Sequence, residues 1–175
     1  MYSQDFPVSN EVKVEILGMN VKVTGPKGEL VRDFTTGMDI AIENKDGKIT
    51  VSAVLERRDV RSVVGTIAAH IRNMIKGVTE GFVYKLKIIY SHFPVTAKIE
   101  GEKIIIQNFL GEKAPRMTKI VGKTTVEIKG QEITVTGISK EDVGQTAGNL
   151  EQITRISGYD RRTFMDGIYI VSKSD

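Results

Sequence analysis

The sequence predicts an α+β fold of two tandem duplicated domains, residues 1–80 and 81–175, each a mostly antiparallel sheet packed against one helix. Three observations predict it: a repeat at constant offset, short segments of alternating apolar residues, and one helical apolar stripe per repeat. At an offset of 83, Gly18, Val21, Val23, Gly28 and Glu29 fall on Gly101, Ile104, Ile106, Gly111 and Glu112 without a gap. Asp59, Val60, Gly65 and Ile67 fall in the same way on Asp142, Val143, Gly148 and Leu150. Self-similarity at a fixed period is the signature of a repeated structural unit.

In the first repeat, VKVEIL, NVKVTG, GELVRDF, MDIAIEN and KITVSAV read as strands, because side chains of a strand alternate between faces and β-branched residues suit a pleated surface. GPKG and Asp46-Gly47 separate them, the latter a hairpin signal because glycine tolerates positive φ. From Val60 onward, Val63, Val64, Ile67, Ile71, Ile75 and Val78 recur at three- and four-residue spacing, which predicts a helix with an apolar face. Its other face carries Arg58, Arg61, Arg72 and Lys76. The second repeat follows the same order, with strands at VYKLKIIY, AKIEG, KIIIQNF, TTVEIKG and EITVTG. A helix then begins at Ser139, a capping residue ahead of Glu141 and Asp142, and its stripe is Val143, Ala147, Leu150 and Ile153. The join falls near Gly77 to Gly81, and SGYDRRTFMDGIYIVSKSD is a tail that only the second repeat has.

Composition narrows the function. There are no cysteines, which rules out disulfides and thiolate metal sites, and the N-terminal MYSQDFPVSN has no basic-then-apolar leader pattern. Nowhere do about eighteen apolar residues run together, so a cytoplasmic protein without a membrane partner is expected. The net charge is only +3, but its distribution is uneven. Residues 1–80 hold 11 Lys or Arg against 11 Asp or Glu, whereas residues 81–175 hold 14 against 11.

Catalytic chemistry is hard to assemble. The letters GKTT at 122–125 lack the glycine that a phosphate-binding loop places five residues earlier, where Met117 stands, and a strand rather than a helix follows. His70 lies beside the apolar stripe of the first helix and His92 follows a strand, and neither has a metal partner at ligand spacing. Carboxylates are dispersed among cations, so no acid and base pair is nominated. No enzyme activity, cofactor, metal or small-molecule substrate is expected.

The cations of the second repeat are more informative. NFLGEKAPRMTKIVGKTT, 108–125, places Lys113, Arg116, Lys119 and Lys123 at a turn and strand edge, between Glu112 and Glu127. Flexible cations there can reach phosphate oxygens without disturbing a core. The tail sets Arg161-Arg162 beside Tyr159, Phe164 and Tyr169, mixing guanidinium forks with rings that stack on unpaired bases or anchor the tail. A binder of RNA is the first reading, and a protein adaptor using exposed sheet edges is the alternative.

QITRISGYDRRTFMDGIYIVSK, 152–173, resembles the C-terminal signature of universal large-subunit ribosomal protein six, in its archaeal and eukaryotic branch. Arg162, Phe164, Asp166, Gly167, Ile168, Tyr169 and Lys173 carry the match, and VTGPKGEL, SHFP, NFLGEKAPR and EDVGQTAGNLEQ extend it along the chain. Tyr159 departs from the pattern, which usually has a lysine or arginine there. The resemblance implies a non-catalytic constituent of the large ribosomal subunit, from an archaeon. It implies binding to large-subunit ribosomal RNA near the sarcin-ricin loop and factor-binding region, with ribosomal proteins as neighbours and translational GTPases nearby. The candidate contacts are then Lys113, Arg116, Lys119 and Lys123 in the hairpin segment, with Arg155, Tyr159, Arg161, Arg162 and Lys173 in the tail.

Overall fold

The computed structural model describes residues 2–9, 11–45 and 47–174. The chain divides into two compact units, Met1–Gly81 and Phe82–Asp175. The first unit contains β1 (Tyr2–Pro7), β2 (Lys13–Leu17), β3 (Asn20–Gly25), β4 (Gly28–Asp33), β5 (Ile40–Lys45), β6 (Lys48–Ala53) and α1 (Arg58–Thr79). One antiparallel sheet has the order β1-β6-β5 and the other is the meander β2-β3-β4. Lys45 pairs with Lys48 and Gly47 adopts φ 74°, while Asp46 of the expected turn lies outside the described residues.

The strand β1 is an element that the alternation pattern does not reveal. Gln4, Asp5 and Pro7 dilute it, yet Phe6 is buried and Tyr2 packs against the core. The Arg61 and Arg72 guanidiniums of α1 lie 4.7 and 5.2 Å from the Tyr2 and Phe6 ring centroids. The cationic face of α1 therefore partly covers β1. The opposite face buries Val60, Val64, Ile67, Ile71 and Val78 against Val21, Val23, Ile49 and Val51. Burying such a side chain contributes about 1.5–3 kcal/mol, so the stripe holds helix and sheets together.

The second unit repeats this plan with β7 (Phe82–Ile89), β8 (Thr96–Glu100), β9 (Lys103–Gln107), β10 (Arg116–Lys119), β11 (Thr125–Lys129), β12 (Glu132–Gly137) and α2 (Lys140–Ile153). In both units the first strand pairs with the last strand before the helix, and three intervening strands form a meander. The structure thus shows the duplicated α+β architecture that the offset of 83 predicts. Ser139 Oγ accepts from the Asp142 amide at 3.3 Å, which caps α2.

The tail adds a thirteenth strand, β13 (Gly167–Lys173), antiparallel to β7 and extending that sheet to the order β11-β12-β7-β13. Pairing runs from Gly167 opposite Ile89 to Lys173 opposite Tyr84, with a bulge between Ile170 and Ser172. Ile168 is fully buried among Leu86, Ile88 and Leu150, so the start of β13 belongs to the core.

Candidate nucleic-acid interface

The cationic segment after β9 begins with a backbone that ordinary residues seldom adopt. Asn108 and Leu110 have φ of 58° and 51°, in a single 3-10 turn that buries Phe109 and Leu110. The Asn108 side-chain Nδ2 donates to the Pro94 carbonyl at 2.9 Å, and burial of the two apolar side chains offsets the local strain. Lys113 emerges directly after this turn and is exposed.

Arg116 behaves differently from the lysines around it. Its Nε and Nη2 donate to the Glu112 carboxylate at 2.8 and 2.6 Å, and Nη1 donates to the Ile153 carbonyl at 2.7 Å and the Arg155 carbonyl at 3.3 Å. The guanidinium also lies 4.5 Å from the Phe109 ring centroid. Four of its five N–H groups are therefore occupied within the unit. The hydrogen bonds to Arg116 hold the Glu112 carboxyl below its usual range, and Glu112 raises Arg116 in turn. Arg116 is a strut between β10 and the end of α2, a role its place in a run of cations does not disclose.

Lys119 is exposed on β10 opposite Lys103, which in turn stands opposite Glu100 on β8. Lys103 is a cation that sequence reading missed, because only strand register brings it beside Lys119. Lys123 sits in the turn before β11, and that turn packs on the start of α2. The Val121 amide donates to Thr146 Oγ1 at 3.1 Å, and Thr124 Oγ1 donates to the Val121 carbonyl at 2.7 Å. Gly122 has φ 60°, and a Cβ there would lie 2.7 Å from Asp142 Cγ. The GKT letters thus place an acid, Asp142, where a phosphate loop would place its anion, and a strand follows them.

The remaining candidates lie on the tail. Tyr159 is half exposed and its ring packs at a tilt of 57° against Phe164, centroids 4.9 Å apart, and the His92 ring lies 4.7 Å from Phe164. Asp166 is fully buried, and its Oδ1 accepts from the Ser91 amide and hydroxyl at 3.3 and 3.0 Å. These contacts fasten SHFP to the tail. Arg155 and Arg161 line a groove between the end of α2 and the start of β13, and Arg162 is exposed beside it. Thr154 closes the floor: its Oγ1 accepts from the Ile168 amide at 2.9 Å.

The candidates do not form one patch. Arg155 and Arg161 come together, but Lys123 lies at the opposite end of α2, whose 14 residues span about 21 Å. Lys173 lies at the far end of β13, its ammonium 6.0 Å from the Tyr84 ring centroid. Among the described residues no group of His, Asp or Glu could hold a metal ion, and no helix is long and apolar enough to cross a membrane.

Comparison with known proteins adds what geometry alone does not. The family model described as Ribosomal protein L6 matches residues 6–81 and again 93–167, one match per unit. Proteins named large ribosomal subunit protein uL6 are similar along most of the chain. That of Aeropyrum pernix is 51% identical over 95% of this chain and 91% of its own length. The Methanothrix thermoacetophila protein is 49% identical over 95% and 94%, and that of Methanosarcina mazei 51% over 86% and 85%. With a family model matched twice and about half of the aligned positions identical in archaeal relatives, the chain belongs to the ribosomal protein L6 family, on its archaeal side.

Proposed function

We propose that this chain is a structural, non-catalytic constituent of the cytoplasmic large ribosomal subunit and binds large-subunit ribosomal RNA chiefly through its second repeat. The repeats are read as 1–80 and 81–175, with the first nearly neutral and the second carrying the grip. The observation that carries this is the set of exposed lysines and arginines on loops and edges of the second unit, Lys113, Lys119, Lys123, Arg155, Arg161, Arg162 and Lys173, in a chain of this family. Cations so placed neutralise phosphates, and the folded unit fixes their spacing. Tyr159 is read as a tail contact, and Arg116 as the residue that holds β10 against α2.

The finer placement, beside the sarcin-ricin loop and factor-binding region with translational GTPases and other ribosomal proteins as neighbours, rests on the family resemblance. The alternative is a protein adaptor using exposed sheet edges; at the edge strand β13 a bulge and the terminal Lys173 discourage an added strand.

A filter-binding titration of the full chain against large-subunit RNA fragments at several salt concentrations tests the proposal. Replacing Lys113, Lys119 and Lys123 by alanine is expected to flatten the salt dependence by about 2–3 log units of affinity per log unit of salt. Unchanged affinity and slope in that triple variant would sink the grip.

A further inference from the structure

The groove between the end of α2 and the start of β13 is more elaborate than phosphate contact requires. It encloses about 420 Å³, a size ordinary for a small-molecule site, and is open to solvent beside the cations already described. Its walls combine Arg155 and Arg161 with Tyr169, Met165, Gln152 and Glu151. Neither arginine side chain has a hydrogen-bond or ion-pair partner among the described residues.

The aromatic groups of the groove are not equivalent. Phe164 already has two ring neighbours, His92 and Tyr159, both tilted against it. Tyr169 has no aromatic partner among the described residues and remains 39% exposed. Its hydroxyl donates to the Met165 carbonyl at 3.3 Å, and its ring edge lies against Gly167, where an added Cβ would be 3.3 Å from two ring carbons and the hydroxyl oxygen. Met165, 64% exposed, stands beside it. A flat ring held in place, a polarizable side chain and two uncommitted guanidiniums match one chemical object: a base turned out of its stack with its phosphates.

Given the RNA-binding reading above, on which this rests, we propose that the Tyr169 groove receives a single unpaired RNA base, stacked on the Tyr169 ring, while Arg155 and Arg161 take the flanking phosphates. An acidic peptide would use the arginines but leave the ring without a partner of its own shape. Paired RNA would leave the groove empty, since an A-form helix keeps its bases stacked.

The test is chemical footprinting of large-subunit RNA transcripts bound to the full chain, with dimethyl sulfate, kethoxal and a carbodiimide reading unpaired base edges. Wild type is compared with Tyr169→Ala, which removes the ring, and Gln152→Trp, which fills the groove from an exposed position without removing a core contact. The expected result is one unpaired base protected by the wild type and reactive again with either variant, the other protections remaining. Affinity should fall about 5- to 150-fold with an unchanged salt slope, because a stacked base rather than a phosphate contact is lost. Wild-type RNA binding whose protections neither variant alters would overturn the base site and leave the RNA reading intact. No wild-type binding at low salt would remove both.

Discussion

The Arg116 guanidinium donates to the Ile153 carbonyl at 2.7 Å, so a side chain of the edge strand β10 closes the last turn of α2. Helix ends leave carbonyls without intrahelical partners, and here a neighbouring strand supplies the donor. Arg116→Ala is expected to destabilise the chain by about 1–3 kcal/mol, because charge-assisted bonds are lost and partly shielded acceptors are left behind. Arg116→Lys should recover only part, since an ammonium cannot hold Glu112 in two places and reach the helix as well. Urea or thermal unfolding of the three proteins measures both values.

Acid should loosen the same strut. Glu112 is held below its ordinary value by Arg116, so its contribution is fully present above the unfolded-state value, about pH 4.3, and is lost as pH falls through the lower folded value. Unfolding measured from neutral pH downward is expected to show Glu112→Gln less stable than wild type near neutrality. That gap should close below about pH 4. A gap that stays constant would mean the carboxylate charge does not matter.

Gly122 and Asp142 form a second testable pair. A methyl at position 122 meets both the left-handed backbone and the Asp142 carboxylate. Gly122→Ala should therefore cost about 1–2 kcal/mol from the backbone alone, and more from the clash. In an Asp142→Ala background the closest contacts, to the carboxylate, disappear and only the backbone cost and a 3.3 Å approach to Cβ remain. A double-mutant cycle with no coupling would contradict this geometry.

Thr154 offers its hydroxyl oxygen to the Ile168 amide at the start of β13. Thr154→Val keeps the volume but leaves the buried Ile168 amide without its acceptor, at an expected cost of about 1–3 kcal/mol. Hydrogen exchange at Ile168 should accelerate in that variant relative to Leu86, whose strand is held from both sides.

Much of this architecture was legible in the residues, and the exceptions have physical causes. Strands such as VYKLKIIY and the α1 stripe announce themselves because one face is buried and the other is largely exposed. The strand β1 stayed hidden because its inward positions alternate Tyr2, Gln4 and Phe6 among polar neighbours, and the arginines of α1 supply part of its cover. The strand β13 was visible only as a tail, since its pairing with β7 joins residues about eighty positions apart. In the interface, exposed lysines could be read directly from the charge run. The internal employment of Arg116, the pairing of Lys103 with Lys119 and the groove under Tyr169 all depend on register and helix placement, which a one-dimensional pattern does not contain.

Because β7 is flanked by β12 on one side and β13 on the other, the two units differ in when they can be completed during synthesis. Every strand and the helix of the first unit are available once residue 79 has left the ribosome making the chain. The second unit must hold one side of β7 open until residue 173 arrives. Domains fold as units from the N-terminal end at about 5–20 residues per second, so the first copy acquires its structure seconds before the second. The proposed RNA-binding half therefore matures after the first, once β13 has emerged to close the open side of β7.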